Sequence, residues 1–187
     1  MMNKKNSIFI ATSLDGYIAD KNGGIDWLYT IPNPDNEDMG YEKFTRGIDA
    51  LVMGRKTFET VMGFDIPWPY KRPVFVLSNK MKEIPGAYKD KAFLVKGTLT
   101  EVLDHIHEKG YHSLYIDGGT TINNFLKEDL IDEMTITRMP ILLGGGAPLF
   151  SDLPQPLRFD LVESKTFLNQ ISQNHYRRVR GEKEART

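Results

Sequence analysis

The sequence predicts one α/β domain built on a mixed, mostly parallel sheet, with helices on both faces and an antiparallel hairpin at its C-terminal end. Three observations predict it. Over the first two thirds, short continuous apolar runs alternate with amphipathic segments. Strands that read as unbroken apolar runs are covered on both faces, as in parallel α/β sheets. Glycine-bearing turns stand where several of those runs stop, which is where this architecture binds ligands. In the last third the pattern changes to alternating strands with a short connection.

The elements follow in order. Residues 7–13 read as a first strand, and 35–46 as a helix marked by Met39 and Phe44. Ala50-Leu51-Val52-Met53 is a buried strand, followed by a helix whose apolar side is Phe58, Val61 and Met62, closing near Gly63. Val74-Phe75-Val76-Leu77 and Ala92-Phe93-Leu94-Val95 are two more buried strands. Thr98 and Glu101 form a capping box, in which the threonine accepts from the third helical N–H and the glutamate reaches back. Leu99, Val102, Leu103 and Ile106 then recur at helical spacing until Gly110. Ser113-Leu114-Tyr115-Ile116 is a strand, and Ile122, Phe125 and Leu126 mark the helix after Gly118-Gly119. Met134, Ile136 and Arg138 alternate with threonines, and 157–166 and 171–180 form a hairpin around Leu168-Asn169-Gln170.

Composition narrows the function. The chain has 187 residues, 40% of them hydrophobic, enough for one domain with a sizeable core, read here as residues 1–180 with a disordered tail at 181–187. No apolar run approaches the ~20 residues that span a membrane, and Ile8-Phe9-Ile10-Ala11 is too short for a secretion signal, so a cytoplasmic protein is expected. With no cysteine there is no disulfide, thiolate metal site or cysteine nucleophile. A formal net charge of −1 gives no global field for nucleic acid or anionic membrane. The basic run Arg177-Arg178-Val179-Arg180 reads as a strand edge with a frayed end.

Several motifs are missing: the phosphate loop of nucleoside triphosphatases, the Rossmann dinucleotide fingerprint, the zinc-protease helix and the nucleophile elbow. His105 and His107 are two apart on a helix, cannot share a metal, and read as exposed. No metal site is expected.

Other segments carry chemistry. Met53-Gly54-Arg55-Lys56-Thr57 joins a strand to a helix whose first N–H groups and positive dipole end suit a pyrophosphate or 2′-phosphate. It also suits a plain helix start with two solvated basic residues. Tyr115-Ile116-Asp117-Gly118-Gly119-Thr120-Thr121 repeats the arrangement, with Thr120 or Thr121 as cap or phosphate ligand. Leu77-Ser78-Asn79-Lys80 is a phosphate contact or a turn. Gly144-Gly145-Gly146 exceeds the needs of a simple turn and points to function or close packing. Asp15-Gly16 is a turn pair whose carboxylate could also orient substrate or relay a proton.

Taken in order, Ser13-Leu14-Asp15-Gly16, Gly54-Arg55-Lys56-Thr57, Asp117-Gly118-Gly119 and Pro140 to Phe150 resemble the dihydrofolate-reductase-like superfamily. The nearest branch is the C-terminal reductase domain of the bifunctional deaminase-reductase of riboflavin synthesis. The resemblance implies a three-layer fold with an eight-stranded sheet, NADPH as cofactor, and a small heterocyclic or ribosyl substrate, with a homodimer expected and no nucleic-acid or membrane partner. Carried onto this chain, it sets Gly54 to Thr57 and Gly118 to Thr121 beside the pyrophosphate, and Arg55, Lys56 and Ser78 near the 2′-phosphate. Ala11, with Thr12, would edge the nicotinamide, and Gly24 to Trp27 would belong to a mobile loop over the site. Asp15 and Asp38 are the candidate catalytic carboxylates, Asp38 standing near the pterin-binding acid of folate-reducing members. Trp27, Tyr41 and Phe44 would pack on the substrate ring, or belong to the core.

The sequence departs from both relatives. Asp26-Trp27 replaces the usual Pro-Trp, and the cysteines and H-x-E of a zinc deaminase are missing. A riboflavin-precursor reductase is therefore expected, with a dihydrofolate reductase or a non-catalytic NADPH-binding protein as alternatives. A working acid at neutral pH must have its pKa raised by burial, or act through water.

Overall fold

A computed structural model describes residues 4–180. The expected segment 181–187 lies outside the described residues.

The sheet is built from β1 (Lys5–Thr12), β3 (Ala50–Gly54), β4 (Val74–Leu77), β5 (Ala92–Val95), β6 (Ser113–Asp117), β7 (Glu133–Arg138), β9 (Phe159–Phe167) and β10 (Ile171–Arg178). Their order across it is β5-β4-β3-β6-β1-β7-β10-β9. Pairing is parallel from β5 through β7 and antiparallel at β7–β10 and β10–β9. The remaining strands, β2 (Tyr17–Ala19) and β8 (Ala147–Pro148), make a separate two-stranded ribbon.

Four helices cover the sheet. α3 (Leu99–Glu108) and α4 (Gly119–Lys127) bury Val102, Ile106, Ile122 and Phe125 against Ile8, Val52, Leu114 and Ile116. α1 (Tyr41–Arg46) and α2 (Arg55–Met62) lie with the opposite set, Leu51, Met53, Val74, Val76 and Tyr115. Neighbouring residues of one strand thus feed two cores, as the period of two demands. The capping box at Thr98 and Glu101 forms as expected. Among the described residues no helix is long and apolar enough to cross a membrane.

The structure corrects three expectations. The helix expected over 35–46 begins only at Tyr41, after a left-handed Gly40. His107 is half-buried rather than exposed. Its ring stacks on His112 at 5.6 Å, and its Nδ1 lies 2.8 Å from the Tyr111 carbonyl oxygen. The basic run is not a strand edge, because β10 lies inside the sheet. Arg178 grips Asp129 with two hydrogen bonds, Nε at 2.6 Å and NH2 at 3.0 Å; Arg177 reaches Glu133, and Arg180 reaches Asp132. The arginines fasten the hairpin to the acidic stretch leading into β7.

Candidate active site

β1, β3 and β6 are adjacent and parallel, so their C-terminal ends open on the same side of the sheet. Two helices start there directly. α2 follows Gly54 and α4 follows Gly118, and neither has a side-chain cap. Each therefore keeps its first N–H groups and its positive dipole end for whatever lies above.

The two turns interlock. A Cβ on Gly54 would come within 2.9 Å of Thr121 Oγ1, and one on Gly118 would overlap the Thr57 hydroxyl. Gly118 also has φ +87°, a conformation side chains rarely adopt. Gly54, Thr57, Gly118 and Thr121, expected to share a site, are thus brought together. Gly119 packs on Ile18 of β2, and Thr120 is exposed. Arg55 lies along α2 at 3.4 Å from Glu59, and Lys56 is exposed. Ser78 Oγ accepts from the N–H groups of Lys80 (3.2 Å) and Met81 (3.0 Å), so the turn reading holds there, with the hydroxyl proton still free to donate. On β1, Ala11 is partly buried, and the next residue, Thr12, is 2% exposed with an unpartnered hydroxyl.

Neither proposed carboxylate has a raised pKa, so of the two routes open to an acid only the one through water remains for them. Asp15 is exposed, and the Ser13 hydroxyl (2.6 Å) with the N–H groups of Leu143 (3.1 Å) and Gly144 (2.8 Å) holds its carboxyl below the usual range. It is a clasp between the first turn and the glycine segment. Asp38 is also held low, by the N–H groups of Glu42 (2.7 Å) and Gly40 (2.9 Å), and serves as a cap for α1.

Asp117, at the end of β6, takes the other route. Burial pushes it up to about 6, and the Gly118 N–H it accepts at 2.8 Å pulls the other way. Three phenols lie within its electrostatic reach. Burial, reinforced by Asp117, pushes Tyr41 up to about 12 and raises Tyr70 and Tyr115 too. All three phenols therefore stay protonated at neutral pH, and the Tyr115 hydroxyl donates to the Phe9 carbonyl at 2.8 Å. The residue-level signal for Asp117 was a polar side chain closing an apolar strand; its surroundings come from three distant segments.

The aromatic candidates divide. Trp27 is 6% exposed and packs with Met139 and Ile171, so it is core and not a face for a ligand. Gly24, next to it in the expected mobile loop, is fastened by its N–H to Asp20 at 2.8 Å. Tyr41 and Phe44 pack on Phe9 (5.6 and 5.0 Å) and Tyr115 (6.5 and 5.1 Å), forming an aromatic wall of which Tyr41 lies within the electrostatic reach of Asp117.

Close packing explains two of the three glycines, while Gly144 has open space and a φ of +67°. A Cβ on Gly146 would overlap the Ala19 carbonyl oxygen, and one on Gly145 would lie 2.6 Å from Lys21 Cε. Buried Asn123 of α4 completes the anchorage, donating to the carbonyls of Gly119 and Leu149 and accepting from Ser151, all at 2.8–3.0 Å. The segment 140–151 thus straps the first turn to the start of α4.

Known proteins share this fold. A putative riboflavin biosynthesis protein from Shewanella sp. PV-4 is 56% identical, with a TM-score of 0.92 over 94% of this chain and 99% of that one. A deaminase/5-amino-6-(5-phosphoribosylamino)uracil reductase from Thermotoga maritima has a TM-score of 0.72 at 16% identity, over 95% of this chain and 57% of that one. Dihydrofolate reductase from Enterococcus faecalis, complexed with NADP(H), has a TM-score of 0.65 at 17% identity, over 93% and 96%. The last two likenesses show the dihydrofolate-reductase-like fold. Residues 6–172 match the RibD C-terminal domain, and the chain belongs to that family.

Proposed function

We propose that this chain is an NADPH-dependent reductase acting on a riboflavin-precursor-like heterocyclic or ribosyl compound. The observation that carries the proposal is the pair of uncapped helix starts, α2 and α4, locked together beside a carboxyl with a raised pKa. The likenesses to a riboflavin-pathway reductase and to an NADP(H)-bound reductase support the same reading.

The residues fit such a cofactor. The glycines leave a cradle that a Cβ would fill, the helix starts offer N–H donors to phosphate, and Thr12 has a buried hydroxyl in need of a partner. Arg55 and Lys56 stand at the start of α2, where a 2′-phosphate would distinguish NADPH from NADH. When bound, NADPH supplies a hydride to a C=N or C=O carbon. Asp117, protonated below about 6, holds the proton that the substrate heteroatom needs. Tyr41 and Tyr70 orient the ring and keep water from the carboxyl. The strap 140–151, clasped by Asp15, holds the first turn over the strand ends.

The test is a fluorescence titration with NADPH and NADH, repeated with Arg55→Ala. Tight NADPH binding, weak NADH binding and loss of that preference in the variant are expected. No saturable binding of either nucleotide would sink the reductase reading.

A further inference from the structure

The antiparallel half of the sheet carries a second recess. A groove of about 380 Å³ runs between α1 and the face formed by β1, β7, β10 and β9. It exists because of what α1 presents to it. Gly40, Lys43, Phe44 and Gly47 line it, spaced as one helical face, and the two glycines put no side chain into the space. Ser7, at its floor, stands five residues before Thr12 on β1, roughly 16 Å away at the usual strand rise. Ser7 is therefore remote from the strand ends, although the groove shares the Phe9 and Phe44 rings with the aromatic wall described above.

Two features say what it would take. Ser7 is 3% exposed and its hydroxyl has no hydrogen-bond partner, a state that costs free energy unless something supplies one. The charges are also unbalanced, since three lysines (Lys5, Lys43, Lys165) line the groove against two glutamates (Glu133, Glu163). Glu133 is taken by Lys5 at 3.0 Å and Arg177 at 3.3 Å, and Glu163 by Lys165 at 3.0 Å. Among the described residues Lys43 joins no ion pair, and although Glu163 lies within its electrostatic reach, that carboxylate is paired with Lys165, so the surplus positive charge rests on the wall beside the Phe44 ring.

We propose that this groove binds a small aromatic anion, its planar body against Phe44, its carboxylate or phosphate on Lys43, and a polar group meeting the Ser7 hydroxyl. Carboxylate and phosphate share the charge but not the geometry, so the two are tested apart.

The experiment is an amide ¹H–¹⁵N titration of the whole chain with benzoate in one arm and phenyl phosphate in the other. Saturable shifts at Ser7, Phe44 and Thr135 are expected, with the tighter arm naming the anion. Lys43→Glu should weaken binding roughly tenfold or more, the worth of a charge-assisted contact, while Lys109→Glu leaves it unchanged. The dispersion of the amide spectrum of Lys43→Glu serves as the folding control, so the test does not depend on the fate of the reductase reading. Three results would overturn the proposal: no saturable shift with either probe up to about 10 mM, a range that small ligands of modest affinity reach; shifts confined to 54–57 and 117–121; or groove shifts that follow protein concentration without probe, which would mean that a second copy of the chain covers the face.

Discussion

Gly118 lies against the hydroxyl of Thr57 so closely that a Cβ would overlap it, joining the turn after β6 to the turn after β3. Gly118→Ala meets both this overlap and a positive φ. It should cost about 2–4 kcal/mol in urea unfolding, the sum of backbone strain and overpacking. Adding Thr57→Ala removes the overlap but not the strain, so the double variant should recover part of the loss. Strict additivity in that double-mutant cycle would show that the two turns are not coupled.

Asp117→Asn tests the proton donor. Turnover should fall by roughly 10²–10⁴-fold, the usual worth of a general acid, and the wild-type rate should decline as pH rises through about 6. Stability should fall with rising pH as well. The folded carboxyl titrates at about 6 and the unfolded one near 3.8, so the folded state loses stability as pH climbs between them. Asn does not titrate, so the variant should be more stable than wild type at pH 8, by at most about 3 kcal/mol, with the difference gone below pH 3.8. Equal pH dependence in the two proteins would remove the raised pKa from the account.

Asp15→Asn should leave the fold intact and loosen the strap. Hydrogen exchange at Leu143 and Gly144 is expected to speed up, since the N–H groups of both lose a charged acceptor. The clasp's contribution is present above the ordinary carboxylate pKa and is lost as pH falls through the depressed folded value. Unchanged exchange at both amides would mean that the strap is held without the Asp15 clasp.

Arg178→Ala should be among the more damaging substitutions far from the site. Its side chain is 10% exposed, and its loss leaves Asp129 without its bidentate partner. A cost of about 2–4 kcal/mol is expected in chemical unfolding, with Arg178→Lys restoring little because an ammonium cannot make both bonds in the plane of the carboxylate. Full rescue by lysine would reduce the contact to simple charge attraction.

Some of this was legible in the residues and some was not, for physical reasons. Val74–Leu77 was placed to the residue because a strand covered on both faces leaves an uninterrupted apolar run. Ala92–Val95 was placed as well, although it is an edge strand with Phe93 exposed rather than a buried one. α3 was placed by its cap. β2 and β8, of three and two residues, are too short to show a period. The cradle at Gly54 and Gly118 could be read because few residues other than glycine survive such contacts. The acid could not. Asp15, Asp38 and Asp117 are three carboxylates beside glycines or turns, and what separates them is the company of Tyr41, Tyr70 and Tyr115, which only folding assembles. Trp27 illustrates the converse, since an aromatic held in a core and one waiting for a ligand look alike along a chain.

β1 lies between β6 and β7, although more than a hundred residues separate it from either. The earliest strand to leave the ribosome therefore has no neighbour to pair with until residues 113–138 have been made. At ordinary elongation speeds of ~5–20 residues per second, its apolar edge waits for several seconds. Such distant pairing also slows refolding. In a cell, whatever shields Ile8 and Phe9 during that interval should govern how much of this protein is recovered folded, and variants that lengthen the wait, such as slowly decoded codons between β3 and β6, should send more of it into aggregates without altering the finished molecule.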